Sequence, residues 1–158
     1  MDRNRLHTLQ AGVALAEFAL TVPILAMLLV GLVEFGRLAY FTIEVSNAAH
    51  AGAEYGALPN NAGDFAGMQT VATNDGANGI SALIPQAGNV CACWNGTTET
   101  PSPPTAAVCR QPCAGGARQV TYVQVSVTGV IRPIFNYGAL GLPASWNVVR
   151  VATIRAAQ

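Results

Sequence analysis

The sequence predicts an α+β membrane protein. A long N-terminal transmembrane and stalk helix should precede a small disulfide-stabilised domain with an antiparallel sheet of three or four strands. Three observations carry this expectation. Only 10% of the 158 residues are charged and 51% are hydrophobic, whereas ordinary soluble domains carry about a quarter charged residues. The apolar residues are concentrated near the N-terminus. The later sequence holds a run of alternating apolar and polar residues together with four cysteines.

The helix comes first. Phe18 to Val33 reads FALTVPILAMLLVGLV, sixteen residues without a charge. Extending back to Val13 adds one acid, Glu17, and reaches the roughly twenty residues a bilayer-spanning helix needs. Arg3 and Arg5 precede the segment, against one acid, Asp2, so the short N-terminal side is expected to stay in the cytoplasm. A cleaved secretory signal fits poorly, because the nearest small-residue cleavage site, Ala49-His50-Ala51, follows Glu34, Arg37 and Glu44.

The helical pattern continues beyond the apolar run. Leu38, Phe41, Val45 and Ala48 recur three and four apart among charged residues. The stop is Leu58-Pro59-Asn60-Asn61. Helical throughout, Val13 to Gly56 would extend about 66 Å at 1.5 Å per residue, against roughly 30 Å of hydrocarbon core. Pro23 removes one backbone hydrogen bond, which marks either a simple kink or a subunit-packing feature. Gly31, Gly36 and the small run Ala48-Ala49-His50-Ala51-Gly52-Ala53 permit close approach, and the run is expected to be the face covered by the C-terminal domain. Glu34 and Arg37 share a helical face, where they can pair, and are expected chiefly to mark the outer membrane interface. His50 with Glu54 reads as a solvated pair.

Beyond the helix, Phe65, Met68, Val71 and Ala72 have helical spacing, and a second short helix is expected around Ile80 to Ile84. The TTETPSPPTAA stretch is expected to be a loop, its prolines excluding regular structure. Gln119 to Ile131 is the best strand, with Val123, Val125 and Val127 alternating with Gln124, Ser126 and Thr128. A last strand is expected from about Trp146 to Arg155.

The cysteines occur as Cys91-x-Cys93 and Cys109-x-x-x-Cys113. An even count in an exported segment favours disulfides. Cys91 and Cys93 are too close in sequence to bond each other, so either 91–109 with 93–113 or 91–113 with 93–109 would cross the loop. A four-thiolate zinc site is the alternative, but this spacing lacks the usual C-x₂-C knuckles.

Zero formal charge, from eight arginines and eight acids with no lysine, excludes a nucleic-acid groove as the main business. No catalytic constellation emerges: Asp64, Asp75 and Glu99 are dispersed through loops, and no serine or cysteine has a histidine to serve as base. Gly115-Gly116-Ala117-Arg118 lacks the phosphate-loop lysine. The expectation is a non-enzyme with no metal, no cofactor and no small-molecule substrate.

Gly12 precedes Val13-Ala14-Leu15-Ala16-Glu17-Phe18, an apolar start with an acid at its fifth position. This resembles the processing site of type IV-like prepilins. The wider stretch GVALAEFALTVPILAMLLVGLVEFGRLAYF resembles the start of TadE-like pseudopilins of the tight-adherence (Tad/Flp) pilus system. Glu17-Phe18-Ala19-Leu20, Pro23 and Glu34-Phe35-Gly36-Arg37 carry the likeness, over about thirty residues. The resemblance implies a prepilin peptidase cutting after Gly12, with Val13 the new N-terminus and Glu17 setting register by neutralising a neighbouring α-amine. It also implies membrane lipid, other pilins or pseudopilins and an inner-membrane assembly platform as partners. The organisation expected is a cytoplasmic leader at 1–12, a transmembrane helix at 13–33, an exported amphipathic continuation at 34–57 and an exported α+β domain at 58–158. The location implied is a bacterial inner membrane, single-pass, with the C-terminal domain periplasmic or extracellular. Since that family is bacterial, the N-glycosylation pattern Asn95-Gly96-Thr97 is discounted. The rival expectation is an uncleaved, single-span, envelope-anchored binding module.

Overall fold

The computed structural model describes the backbone of residues 3–76, 82–135, 138, 141 and 143–157, and the side chains of those from Leu15 onward. In chain order the elements are α1 (Arg3–Ala57), α2 (Phe65–Asp75), β1 (Leu83–Trp94), β2 (Glu99–Thr105), β3 (Arg118–Ile131) and β4 (Trp146–Arg155). Short 3₁₀ turns occupy Val108–Arg110 and Ala114–Gly116. The chain divides into two units, Met1–Ala39 and Tyr40–Gln158. The helix already begins at Arg3, ahead of Val13, and Pro23 lies inside it.

The first unit, as described, is the N-terminal part of α1, up to Ala39. Its described side chains have no core of their own: residues 15–29 are all exposed, with Leu20, Met27 and Leu32 each at least 70% so. Leu15–Ala57 is long and apolar enough to cross a membrane, and an all-round apolar helix without a core is suited to lipid or to other apolar helices.

The second unit has its core between helices and sheet. Phe41, Val45, Ala48, Ala49 and Ala53 of α1 are buried, a stripe at steps of three and four that one helix face produces. It meets the alternating inward set of β3, where Val123, Val125 and Val127 have no exposure. The small run on α1 is thus the covered face that the spacing predicts, whereas His50 and Glu54 are exposed. The approach is close enough to require missing side chains. A Cβ at Gly129 would lie 2.6 Å from Val45 and 2.9 Å from Phe41, and one at Gly56 would lie 2.7 Å from Val123. Since Phe41 and Val45 face Gly129 while Gly56 faces Val123, α1 runs antiparallel to β3.

The second helix, α2, places Met68 and Ala72 in the core, while Phe65 remains 39% exposed. Its N-cap is Asp64, whose Oδ1 accepts the Gly67 N–H at 2.9 Å and whose Oδ2 accepts the Tyr55 hydroxyl at 2.8 Å. These hydrogen bonds, the backbone one first, hold the Asp64 carboxyl below its ordinary value. At its C-terminal end the chain is tied back, with the Ala157 N–H donating to the Ala57 carbonyl at 3.0 Å.

The sheet is antiparallel with order β2-β1-β3-β4. Two expectations are corrected. The proline-rich segment is strand β2, paired with β1 through Thr105, Thr100 and Glu99. Because it is an edge strand, its prolines need supply no N–H to a neighbour on the outer side. A second helix does not extend through Ile84: Leu83 and Ile84 open β1, opposite Gly129 and Thr128, and Ile80 lies outside the described residues. Pro85 and Gly88 obscure that strand in the sequence. They are tolerated because β2 pairs only with Cys91, Cys93 and Trp94, leaving one side of the first half of β1 without a strand among the described residues.

Two covalent ties and one polar strap close this end. Cys91 bonds Cys109 and Cys93 bonds Cys113, with Cα atoms 5.0 and 5.7 Å apart. On the face away from α1, the Tyr122 hydroxyl donates to Glu99 Oε2 at 2.6 Å. Tyr122 stands opposite Val90 and Glu99 opposite Trp94, so the bond passes over Ala92, which is fully buried. The hydrogen bond to Glu99 raises the Tyr122 hydroxyl above its ordinary value.

Candidate assembly site on the N-terminal helix

The residues singled out in the N-terminal sequence all lie on α1. Gly12 and Val13 fall within the helical backbone, and their side chains lie outside the described residues. Glu17 is exposed, and Phe18 is 67% exposed beside it. A carboxylate on an apolar surface is costly in hydrocarbon unless a cation or donor meets it. Within the turn that follows, the Thr21 hydroxyl donates to the Phe18 carbonyl at 3.2 Å. That bond lies next to Pro23, which has no N–H to give to the Ala19 carbonyl.

Farther along, Arg37 Nη1 lies 3.5 Å from Glu34 Oε2, the i,i+3 pair that the spacing predicts. Between them Phe35 is 75% exposed. A Cβ at Gly31 or Gly36 would meet nothing within 4 Å. Both glycines therefore leave recesses on an apolar helix surface that a second helix could fill.

The second unit offers less chemistry. An open depression of about 420 Å³ is lined by Cys93, Asn95, Thr100, Pro101, Val108, Ala114 and Ala117, with no charged side chain to orient a ligand. The four cysteines are consumed in disulfides, and among the described residues no group of three His, Cys, Asp or Glu could hold a metal.

Residues 12–54 match the family model described as TadE-like protein. Over this segment the chain is similar to TadE-like proteins. The matched region begins at Gly12, includes Glu17, Pro23 and the Glu34–Arg37 set, and ends within the helix face that packs on the sheet. The rest of the second unit, from Tyr55 onward, lies outside it. No curated protein and no solved structure matches the chain. The family matched over this segment is a structural, Tad-pilus-associated one.

The sequence reading missed the residues that set the helix against the sheet. Gly129 sits inside a valine-rich strand, and nothing local reveals that Phe41 and Val45 occupy the space its side chain would need. The Tyr122–Glu99 strap was equally hidden, since its partners are 23 residues apart.

Proposed function

We propose that this TadE-like protein is a minor pseudopilin, a structural component in the assembly of Tad/Flp-type pili, cut by a prepilin peptidase after Gly12. Its mechanism is packing. The apolar surface of α1 associates with neighbouring helices, and the α-amine released at Val13 is neutralised by Glu17 of the same or an adjacent subunit. The second unit lies outside the cytoplasm and makes the outer contacts of the subunit, serving adhesion, biofilm formation or secretion through the pilus. The observation that carries this reading is the family match beginning at Gly12 and running through Glu17, on a helix whose side chains from Leu15 to Leu29 are all exposed.

The test is the mass and N-terminal sequence of the membrane-extracted protein, from cells with and without the peptidase. A chain that begins at Val13 only where the peptidase is present is the expected result. A chain beginning near Met1 in both would remove the processing claim and favour the uncleaved, envelope-anchored binding module. Glu17→Ala should leave the second unit folded and abolish recovery of the protein with sheared pili.

A further inference from the structure

The end of the second unit at which α1 enters carries an apolar connection. Phe41 and Val45, the first buried residues of α1, lie against Gly129 near the end of β3. Ile131 closes β3 opposite Trp146, which opens β4. The chain between them therefore leaves and re-enters the sheet at the α1 entry end. Its first residues are Arg132, which is exposed, and Ile134 and Phe135, which are 54% and 47% exposed. Neighbouring exposed Ile and Phe beside an arginine form the composition that lies in a membrane interface, apolar groups toward the acyl boundary and the guanidinium among headgroups.

Distance supports the same occupant. Seven residue steps lead from Val33, the end of the uncharged run, to Tyr40, where the second unit begins. That is about 10 Å as helix and at most about 25 Å as extended chain, however the two units are disposed. The headgroup layer occupies roughly 5–7 Å of it. Along the helical path only roughly 3–5 Å remain beyond that layer, and the four steps from Ile131 to Phe135, at most about 13 Å of chain, can cover that.

We propose that the start of the β3–β4 connection, residues 132–135, is a membrane foot: Arg132, Ile134 and Phe135 rest in the interfacial layer of the bilayer that α1 crosses. The proposal rests on the reading that residues 13–33 span a membrane. It adds a second lipid contact from the opposite end of the sequence, one that must be withdrawn when a subunit leaves the membrane.

The two tryptophans supply the probe. Trp146 stands at the foot end of the sheet, and Trp94 at the other end of β1, opposite Arg118. Full-length protein is reconstituted at high dilution into phosphatidylcholine vesicles with a minority of phosphatidylglycerol and of lipid bearing a nitroxide just below the headgroup. Emission is read from Trp94→Phe, from Trp146→Phe, and from a Trp94→Phe, Trp146→Phe, Phe135→Trp chain. The expected result is loss of most emission from the first and third proteins and its retention in the second. Ile134→Asp with Phe135→Asp in the Trp94→Phe chain should then restore Trp146 emission. Retained emission in all three, in chains that float with the vesicles, would overturn the foot while leaving the span intact. Quenching that appears only when vesicles are crowded with protein would also overturn it, assigning the connection to a neighbouring subunit. Chains that fail to float would overturn the spanning reading itself.

Discussion

At Gly129 and Gly56, a single hydrogen in place of a methyl decides whether α1 can lie on the sheet. A Cβ at Gly129 would come within 2.6 Å of Val45, and one at Gly56 within 2.5 Å of Met68. Gly129→Ala and Gly56→Ala should each destabilise the second unit by about 1–3 kcal/mol, the usual cost of overpacking, read as a lower denaturation midpoint of the full chain in detergent. Gly31→Ala and Gly36→Ala meet open space and should leave that midpoint unchanged; a loss of pilus incorporation in these variants would place a helix contact there. The Asp64 cap has its own signature in pH. Its carboxyl is held below the ordinary value of 3.8 by the Gly67 N–H and then the Tyr55 hydroxyl, so its contribution is complete above that value and is lost as pH falls through the lowered one. Tyr55 is raised above 10.0 by the same partner, so its side of the bond is present below 10.0 and is lost as pH rises through the raised value. Asp64→Ala should flatten the acid limb of the denaturation midpoint plotted against pH, and an unchanged limb would show that the cap contributes nothing measurable.

The two sheet edges are built differently. β2 carries three prolines, and the segment that follows it is tied to β1 by two disulfides, which blunts it against further pairing. Replacing Cys93 and Cys113 together by serine should cost about 2–4 kcal/mol. The expected signature is a lower midpoint while residues 118–131 and 146–155 keep their hydrogen-exchange protection; loss of protection throughout would mean that the bridge organises the whole sheet. Legibility from sequence follows the same division. β3 and β4 were visible because one face of each is covered and the other wet, so the alternation of Val123, Val125 and Val127 is printed in the chain. α1 was visible for the same kind of reason, its period being set by one covered face. β2 was invisible because edge position, a tertiary property, is what makes its prolines acceptable. The first half of β1 was invisible because Pro85 and Gly88 mimic a break where no strand lies alongside. The cysteine spacing left two pairings open, and only the register of β1 against β2 and the loop after it selects 91–109 with 93–113. On the candidate site, Glu17, Pro23 and Glu34–Arg37 were legible because each is a polar or helix-breaking exception within an apolar run.

Across the whole molecule, burial divides the chain at one point. Every buried apolar residue described lies between Phe41 and Ala156, and none between Leu15 and Tyr40. The second unit holds Val45, Met68, Val120, Val123, Val125 and Val127 with no more than 2% exposure, two disulfides and its own C-terminal tie to Ala57. The first has an apolar surface that only lipid or other helices can cover. Stability and insertion should therefore be separable. A chain beginning at Tyr40, produced under oxidising conditions, should stay monomeric without detergent and keep the near-UV circular dichroism of the full protein. Shortening α1 removes no buried side chain, since the first buried position is Phe41. It exposes one new helix N-terminus, with Glu44 one turn in, a carboxylate of the sign that the helix dipole favours at that end. The full chain should require detergent or lipid throughout. If the shortened chain instead aggregates or loses its near-UV signal, residues 3–39 contribute to folding of the second unit as well as to its anchorage, and a variant's pilus defect could no longer be assigned to helix packing alone.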